Sequence, residues 1–363
     1  MNFRAGLIRA LVSEGYEVVA VAPNDKYSPG LKALGCRFVP LRMDNGGTNP
    51  IKDALLTGRF LRLFAHERPD VYLGFTVKPN VYGSLAAHML RIPVINNIAG
   101  LGVVFGRTGL LVKVVRCLYR MSLGRSAKVF FQNNDDRQMF IAGGLVRAKV
   151  ADLLPGSGID LGNFFYIPLN NTVGTDHSFR FLLIARMLWD KGVGEFAQAA
   201  NLLRERWPQA QCCLLGFLDI QNPGAISRAK MDELVASGIT YLGTSDDVRV
   251  EIAQADCIVL PSYYREGTPR SLLEAAAMGR PIITTDAVGC RDVVDNGVNG
   301  LLCRPKDSAD LADKMARMID MSHAEREAMG LRGREKVERE FDEKIVIDKY
   351  LRAIKVALVK NPN

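Results

Sequence analysis

The glutamates Glu266 and Glu274 form the most informative acidic pair in this sequence. An apolar, β-branched run at 256–261 precedes them and is typical of a buried parallel strand. Gly267 and Pro269 then break this run. Glu266 consequently lies in a loop and Glu274 in the next helix. Because ligands of open α/β sheets bind beside the carboxyl ends of the strands, we expect both carboxylates to face one cleft.

A pair of cations stands in a similar position earlier in the chain. Arg186 and Lys191 are five positions apart and directly follow another strand pattern, 179–185. Arginine can bind phosphate oxygens through two parallel hydrogen bonds, and lysine adds a point charge. In a group transfer, such a pair would stabilise a departing diphosphate as its charge develops. The alternative interpretation is a solvated basic loop.

The start of the predicted helix offers backbone contacts as well. Gly267 and Thr268 lie where N–H groups at a helix start can meet phosphate or sugar oxygens, and glycine allows a close approach. The alternative for the two glutamates is that they are ordinary helix-start acids paired with Arg265 or Arg270. Their spacing alone does not decide between these interpretations.

Strand-like runs alternate with helix-like runs along the chain, which predicts parallel βαβ units and an α/β fold class. The polar segment 170–176 separates two series of such units, so we predict two facing Rossmann-like domains, 1–170 and 171–340. The last stretch, 341–363, has apolar residues at helical spacing and is expected to cross back to the first domain. The predicted strands are 17–22, 37–41, 71–75, 93–97, 128–132 and 149–154 in the first domain, and 179–185, 211–215, 239–242, 256–261, 281–284 and 300–303 in the second.

The first domain is expected to lack its first strand. Residues 1–11 already have a helical pattern that ends at Gly15, and a strand pattern comes only after it. A Rossmann-type unit opens instead with a strand and a glycine-rich turn. We therefore expect a missing stretch of roughly a dozen residues before the first helix.

The net charge of +8 is distributed unevenly over the 363 residues. Up to residue 166 there are 21 Lys and Arg against 11 Asp and Glu, and after it 26 against 28. The stretch 71–134 contains no acidic residue at all. Such an excess calls for an anionic partner.

Cysteine and histidine usage gives no sign of a metal site. The seven cysteines are scattered without any Cys-x-x-Cys spacing, as in a reduced, cytoplasmic protein, and the four histidines are isolated. No run reaches the roughly 20 apolar residues that a membrane-spanning helix needs. We expect a protein that is soluble or peripheral to a membrane.

Four motifs of the second domain, taken together, resemble family 4 of the retaining glycosyltransferases, which have the two-Rossmann GT-B architecture. The resemblance implies that Arg186 and Lys191 bind the diphosphate of a nucleotide sugar, Glu266 the sugar and Glu274 the ribose. It also implies donor contacts from Gly267, Thr268 and Pro269, main-chain contacts to the base at Leu242 and Gly243, and no metal or other cofactor. The motifs are Arg-x4-Lys-Gly at 186–192, Leu-Pro-Ser at 260–262, Glu-Gly-Thr-Pro to Glu-Ala at 266–275 and Gly-Arg-Pro at 279–281.

The first domain resembles a narrower subgroup of that family, which extends saccharides on polyprenyl diphosphate carriers. Lys78 is a candidate for the acceptor's diphosphate because it is expected at a strand's carboxyl end with no acid nearby; the alternative is a plain helix-start lysine. Where many family members have a histidine, this chain has Ala99, so no histidine receives a catalytic role. The resembling segments are 75–84, 96–102, 131–133 and 154–160, and the acceptor-binding candidates are Lys78, Asn80, Tyr82, Asn97 and Gly100.

The helical stretch 110–123 carries Lys113, Arg116 and Arg120 at i, i+3 and i+7, beside apolar residues such as Leu111. A basic amphipathic helix of this kind can lie on an anionic membrane. The alternative is an ordinary helix that packs its apolar side into the core.

The family resemblance implies a metal-independent, retaining glycosyltransferase, and the charge and helix patterns predict that it lies at the cytoplasmic face of the membrane. It would move an N-acetylhexosamine or hexose from a UDP-sugar to a polyprenyl-diphosphate-linked saccharide, in surface polysaccharide or glycoprotein glycan assembly. Two other classes stay open at this point. A UDP-sugar epimerase shares the two-domain fold, and a basic nucleic-acid-binding protein would explain the charge, although regular aromatic stacking partners are absent from the basic region. We expect no nucleic-acid partner, and the sequence does not choose an oligomeric state.

Overall fold

The structure is a computed structural model that describes residues 4–25, 27–43, 49–100, 110–169, 178–218 and 222–359. The chain divides into two compact units, one formed by Met1–Gly158 with Glu343–Asn363 and the other by Ile159–Asp342. The first unit thus includes the C-terminal helix. The predicted boundary segment, 170–176, lies outside the described residues.

The second unit contains a six-stranded parallel sheet in the order β12-β11-β10-β7-β8-β9. From the central pair β10-β7, the strands β7, β8 and β9 follow one another outwards on one side, and β10, β11 and β12 do so on the other. This is the strand order of a Rossmann-like unit, and it confirms the predicted fold class. Its apolar strands are almost wholly buried, as expected of a parallel sheet covered by helices on both faces. The strands are β7 Arg180–Ile184, β8 Gln211–Leu215, β9 Thr240–Tyr241, β10 Cys257–Leu260, β11 Ile282–Thr285 and β12 Gly300–Cys303.

The first unit has two separate parallel sheets, one of two strands (β1-β2) and one of four (β3-β4-β5-β6). The sequence predicted the strands but not this division. The strands are β1 Val19–Ala22, β2 Arg37–Pro40, β3 Tyr72–Phe75, β4 Val94–Ile98, β5 Lys128–Phe131 and β6 Ala151–Leu153.

Helices connect most of the consecutive strands in both units, although β11 leads to β12 without one, and in the described chain a helix precedes β1, as expected. None of the helices within the described ranges combines the length and the apolar character that a bilayer crossing requires. The first unit contains α1 Ala5–Ser13, α2 Ser28–Lys32, α3 Pro50–Glu67, a π-helix Pro79–Gly83, α4 Ser84–Met89, α5 Leu110–Leu123, α6 Asn134–Ala142 and α13 Glu343–Val359. The second contains α7 Val193–Arg204, α8 Arg228–Ala236, α9 Val248–Gln254, α10 Arg270–Ala277, α11 Ser308–Asp320 and α12 His323–Glu340.

The C-terminal helix α13 is part of the core of the first unit. Tyr350 is fully buried, and its ring centroid lies 5.0 Å from that of Phe130 on β5. Its hydroxyl accepts a hydrogen bond of 2.8 Å from the side-chain amide of Asn97 on β4. Helix α13, which we expected to cross back to the first domain, is therefore anchored by Tyr350, an aromatic side chain that is both packed and hydrogen bonded.

Substitution of Tyr350 should weaken the first unit. We expect Tyr350→Ala to lower the free energy of unfolding by about 3–5 kcal/mol, because it leaves a large cavity and removes a buried hydrogen bond. Val356→Ala, on an exposed position of the same helix, should change it by less than about 0.5 kcal/mol. Denaturant unfolding followed by circular dichroism measures both; equal effects would contradict the anchoring role of Tyr350.

Candidate functional site

Lys191 and Glu266 meet at the carboxyl ends of β7 and β10. Lys191 ends a short 3₁₀ turn, Trp189–Lys191, and Glu266 lies in the loop before α10. The Nζ atom of Lys191 donates a hydrogen bond to Oε1 of Glu266. The two side chains are only 13% and 12% exposed, so this is a nearly buried ion pair. The structure therefore brings together two residues that the sequence assigned to one site.

The backbone around the pair is held closely. The carbonyl oxygen of Asp190 accepts hydrogen bonds of 3.0 Å from the amides of Tyr263 and Tyr264, which ties the turn after β7 to the loop after β10. Gly192 has a φ of 78°, and a Cβ there would overlap the carbonyl oxygen of Pro261. Only glycine fits at this point, because the two segments pass so near each other.

Ser262 and Tyr264 complete the surroundings of the ion pair. The Ser262 hydroxyl lies 3.1 Å from Oε1 of Glu266, within hydrogen-bond distance. The ring centroid of Tyr264 lies 4.8 Å from Nζ of Lys191, a distance that allows a cation–π contact. A buried ion pair is tolerated when hydrogen bonds and neighbouring dipoles offset its loss of hydration, and this pair has both.

The charges of the cluster act on one another. Burial raises the pKa of Asp190. The charges of Lys191 and Arg186 oppose this rise, and the charge of Glu266 adds to it. Burial likewise raises the pKa of Tyr264, with Glu266 and Asp190 adding to the rise and Arg186 opposing it. Arg186 itself is exposed. Both predicted cations therefore act on the carboxyl group of Asp190, which is next to Lys191 in the chain.

Glu274 lies on α10 and is 9% exposed. Its Oε1 atom accepts a hydrogen bond of 2.7 Å from Nε of Arg270, one turn earlier. Burial raises the pKa of the Glu274 carboxyl, and Arg270 opposes this rise. The pairing with Arg270 that the sequence left open is therefore present. Since a carboxylate has two oxygens that each accept more than one hydrogen bond, it can coexist with a bound hydroxyl group.

The predicted backbone contacts lie at two places along the same edge of the sheet. Pro269 is the N-cap residue of α10, and Gly267 is buried just before it. A Cβ on Gly289 would overlap the carbonyl oxygen of Gly267, so a second chain segment packs directly on the glutamate loop. Leu242 and Gly243 follow β9; the Leu242 amide donates to the Leu214 carbonyl, and the Gly243 carbonyl accepts from Gly216.

In the first unit, Lys78 is paired, which corrects the expectation that no acid lies near it. Its Nζ atom lies 2.9 Å from Oδ1 of Asp53 on α3, and the side chains are 13% and 10% exposed. The Tyr82 hydroxyl donates a hydrogen bond of 2.8 Å to the other oxygen, Oδ2. Burial raises the pKa of Tyr82, and Asp53 adds to this rise. Asp53 precedes the acid-free stretch, so sequence proximity could not reveal the pairing.

Asn80 and Asn97 are each 1% exposed, and their side chains form hydrogen bonds inside the first unit. The Asn80 amide donates to the Asn97 carbonyl oxygen at 2.7 Å, and its Oδ1 accepts from Asn96. The expectation of direct acceptor contacts from these two side chains does not fit this burial; they hold β4 and the π-helix in place. Gly100, with a φ of 107°, directly follows β4 and is the last described residue before 110.

Helix α5 presents cations and apolar residues differently from the expectation. Arg120 donates to the carbonyl oxygens of Gly143 and Gly144 at the end of α6, so it is not a free cation. Val114 and Met121 are 49% and 56% exposed. The side chain of Leu111 lies outside the described part of the chain. Lys113 and the half-buried Arg116 complete the basic side of this helix.

The sequence missed Asp190, Ser262 and Tyr264 as parts of the second-unit cluster. Asp190 stands next to Lys191 and Ser262 belongs to the Leu-Pro-Ser motif, so adjacency could have suggested both. Within the described ranges, no three His, Cys, Asp or Glu side chains come together as a metal site would require.

The fold and the site together define a class of enzyme. Two Rossmann-like units, one of which joins cations and carboxylates at its strand ends, are the features of a GT-B glycosyltransferase. Comparison with known families agrees with this class. Residues 3–156 match the family described as "Glycosyl transferase 4-like domain" and residues 178–321 match "Glycosyl transferases group 1". The chain therefore belongs to the group 1 glycosyltransferases, with a family 4-like first domain, and it is a hexosyltransferase.

Individual relatives agree over almost the whole chain. The N,N'-diacetylbacillosaminyl-diphospho-undecaprenol alpha-1,3-N-acetylgalactosaminyltransferase of Campylobacter jejuni is 29% identical over 97% of this chain and 94% of its own length. A glycosyltransferase structure from Rickettsia africae matches with a TM-score of 0.80 at 16% identity, covering 98% of this chain and 94% of that protein. The Anabaena protein HepE in complex with UDP and glucose matches with a TM-score of 0.76 at 18% identity, covering 98% and 96%.

The crowding at Gly289 gives a test of the glutamate loop. Gly289 and Gly297 have similar φ angles, 83° and 79°, but a Cβ would meet the Gly267 carbonyl only at Gly289 and open space at Gly297. Alanine causes the same backbone strain at either position, so a difference in transfer rate between the two variants reports the displacement of the glutamate loop. We expect Gly289→Ala to lower sugar transfer about tenfold or more relative to Gly297→Ala. Equal transfer rates in the two variants would contradict this account.

Proposed function

We propose that the protein transfers an N-acetylhexosamine or hexose from a UDP-sugar to a polyprenyl-diphosphate-linked saccharide, with retention of the anomeric configuration. The observation that carries the proposal is the nearly buried Lys191–Glu266 pair at the strand ends of the second unit, together with the exposed Arg186, whose charge acts with that of Lys191 on Asp190. Support for the substrates comes from the relatives: the Campylobacter enzyme is named for a lipid-diphosphate-linked acceptor, and the Anabaena structure contains UDP.

The donor would be held by the second unit. Arg186 and Lys191 would bind the diphosphate, because both cations lie at the same edge and a phosphate oxygen is a better partner for Lys191 than a single carboxylate oxygen. Glu274 would accept hydrogen bonds from the ribose hydroxyls. The main chain at Leu242 and Gly243 would contact the base, and the backbone of Gly267, Thr268 and Pro269 would approach the phosphate and sugar.

Donor binding would rearrange the ion pair. When the diphosphate takes Lys191, Glu266 becomes available for a hydroxyl group of the transferred sugar. In the transfer step, the bond between the anomeric carbon and the diphosphate oxygen breaks, and the bond to the acceptor oxygen forms on the same face of the sugar. The acceptor's hydroxyl proton passes to the departing diphosphate, whose charge Arg186 and Lys191 stabilise. The proposed transfer step uses no metal ion, as the family resemblance implies.

The acceptor would be held by the first unit. Lys78 and Tyr82 would contribute through the cluster around Asp53, which lies at the carboxyl end of β3. Asn80 and Asn97 would act by position only, since their side chains are buried, and Gly100 would contribute its backbone.

Removal of the diphosphate-binding cations should stop transfer. We expect Arg186→Ala and Lys191→Ala to lower turnover by about 100-fold or more, because each removes charge stabilisation from the transition state. Arg186 is exposed, so its variant should fold normally even if loss of Lys191 leaves Glu266 unpaired. Lys230→Ala, at an exposed surface pair, is the control.

The assay follows release of UDP with an excess of EDTA present. Full activity of the unsubstituted protein under these conditions supports metal independence. Near-normal turnover of both Arg186→Ala and Lys191→Ala would contradict the assigned roles, and loss of activity in EDTA that added Mg²⁺ restores would contradict the metal-independent mechanism.

We further propose that the protein docks on the inner face of the cytoplasmic membrane through α5. The supporting observation is a stripe of exposed residues at i, i+3 and i+7, Val114, Cys117 and Met121, with the exposed Lys113 beside it. Apolar side chains at the centre and cations at the edge suit an anionic lipid surface. Arg120 contributes less than expected, because its donors already bond to Gly143 and Gly144.

Vesicle sedimentation tests this docking. The protein should bind vesicles that contain phosphatidylglycerol at low salt and bind less at high salt. We expect Val114→Glu with Met121→Glu to reduce the bound fraction at least about fivefold, because acids would enter an anionic surface. Val235→Glu, on an exposed site of α8, is the control. Binding that is equal in the double variant and the control would contradict docking by α5.

A further inference from the structure

Lys306 has a strained backbone near the candidate donor site. Its φ is 61°, in the left-handed region, which is unfavourable for a residue with a Cβ and which glycine adopts without this cost. Lys306 lies three residues after β12 and directly before Asp307, the N-cap residue of α11. It was not a candidate from the sequence.

Helix termination does not explain this conformation. Among the described residues other than glycine, three more have a positive φ: Arg68 at 45°, Thr76 at 64° and Arg91 at 61°. Arg68 and Arg91 follow α3 and α4, and a left-handed residue is a common way to end a helix. Thr76 follows β3 and precedes the π-helix. Lys306 instead lies where the chain enters a helix.

The segment on both sides of Lys306 is held by hydrogen bonds to α11. The side chain of Asp307 accepts a bond of 2.9 Å from the amide of Asp310. The amide of Arg304 donates a bond of 2.7 Å to Oδ2 of the same Asp310. A strained conformation persists where the surrounding structure holds it in this way. The side chain of Lys306 therefore extends from a defined position.

This side chain reaches the loop after β10. The Nζ atom of Lys306 lies over the ring of Tyr263, 4.6 Å from the ring centroid, which is the geometry of a cation–π contact. Since β11 lies between β10 and β12 in the sheet, the contact crosses the carboxyl end of β11. Lys306 is exposed and forms no ion pair with a carboxylate in the described part of the chain. The Tyr263 ring is thus the group that determines where its ammonium lies.

Tyr263 connects this contact to the candidate donor site. Its amide donates a hydrogen bond of 3.0 Å to the carbonyl oxygen of Asp190, and its ring is half-buried. Glu266 follows three residues later in the same loop and pairs with Lys191. A contact that fixes the Tyr263 ring therefore also fixes the loop that carries Glu266.

The contact adds little to the stability of the fold. An exposed cation–π contact stabilises a protein, and a left-handed residue with a Cβ destabilises it by a similar amount. Lysine at position 306 therefore gains little or no stability over glycine. What the lysine adds is a constraint on the position of the loop.

We propose that Lys306 is a positioning residue for sugar transfer, which fixes the Tyr263 ring and so keeps the loop 261–266 where Glu266 can meet the donor sugar. This inference rests on the proposed function, because it gives that loop a part in transfer. Lys306 acts through Tyr263 and makes no contact with the donor itself.

Hydrogen exchange of the full chain, without any substrate, tests the link between Lys306 and the loop. Lys306→Gly should speed exchange of the Tyr263 and Tyr264 amides, which both bond to Asp190, by about two- to fivefold, the factor for loss of an exposed cation–π contact. Lys306→Arg keeps a cation and should leave this exchange within about 1.5-fold. Arg68→Gly is the matched control, because it also removes an exposed cation and a left-handed Cβ.

Denaturant unfolding and steady-state kinetics separate positioning from stabilisation. Lys306→Gly should leave the unfolding midpoint unchanged or raise it, because it relieves strain. It should nevertheless lower kcat about threefold or more with the UDP-sugar that the unsubstituted protein transfers. Its affinity for UDP alone should stay within about twofold, since Arg186 and Lys191 belong to a different turn. A lysine with a merely structural role would instead lower the midpoint and weaken UDP binding when it is removed.

A double substitution tests whether the two residues act through one contact. Tyr263→Leu should reproduce the loss of kcat, and its combination with Lys306→Gly should cause no further loss. Equal exchange in Lys306→Gly and Arg68→Gly would overturn the link to the loop. Faster exchange with an unchanged kcat would overturn the role in transfer, while the proposed function stands. If the unsubstituted protein transfers no sugar, the proposed function fails, and the exchange comparison still decides whether Lys306 holds the loop.

Discussion

The buried ion pair between Lys191 and Glu266 is the interaction on which the candidate donor site depends. It joins the segment after β7 to the loop after β10 by side chains that are almost out of water. Removing two charges from water is costly, and hydrogen bonds and neighbouring charges must offset that cost. The Ser262 hydroxyl, the Tyr264 ring and the closely packed glycines supply this support, so the pair is kept in one geometry before any ligand arrives.

Preorganisation of this kind has a chemical consequence. In the pair, Lys191 is already held at the strand ends, and Glu266 is already oriented. In the proposed donor complex, a diphosphate would replace Glu266 as the anionic partner of Lys191. The interaction energy would then be available where charge develops, on the departing diphosphate, as effective catalysis requires.

The first unit also contains a nearly buried carboxylate whose charge is offset by its neighbours. Asp53 is buried between Lys78 and Tyr82, which together satisfy both of its oxygens. The strained turn at Thr76 and the π-helix after it are the backbone features that put Lys78 in reach of Asp53. In both units, then, a nearly buried lysine–carboxylate pair lies where parallel strands end.

Much of the fold could be predicted from the sequence, because buried parallel strands leave continuous apolar runs. Gln211–Leu215 and Gly300–Cys303 were predicted with their observed bounds, and most other strands to within a residue or two. Contacts between distant segments were harder. Asp53 lies 25 residues before Lys78, and neither local sequence indicates that the two side chains are in contact. The separation of β1 and β2 from the other strands also depends on long-range hydrogen bonding, which local patterns do not encode.

Residue type also proved insufficient where burial decides the role. Asn80 and Asn97 lie in segments that resemble the narrower subgroup, and on that basis they were acceptor-binding candidates. Their side chains instead complete hydrogen bonds inside the first unit, since buried amides must be satisfied. Arg120 has the expected spacing on α5, yet its donors bond to the end of α6.

The central claim is transfer of one sugar from a UDP-sugar to a lipid-linked saccharide. The most direct measurement incubates the protein with a panel of nucleotide sugars and a short-chain polyprenyl-diphosphate-linked saccharide, and analyses nucleotide and lipid products by mass spectrometry. The account predicts that one UDP-sugar releases UDP in equal amount to a lipid product that is heavier by one sugar residue. Release of a different nucleotide, or isomerisation of the sugar with no change in lipid mass, would contradict it.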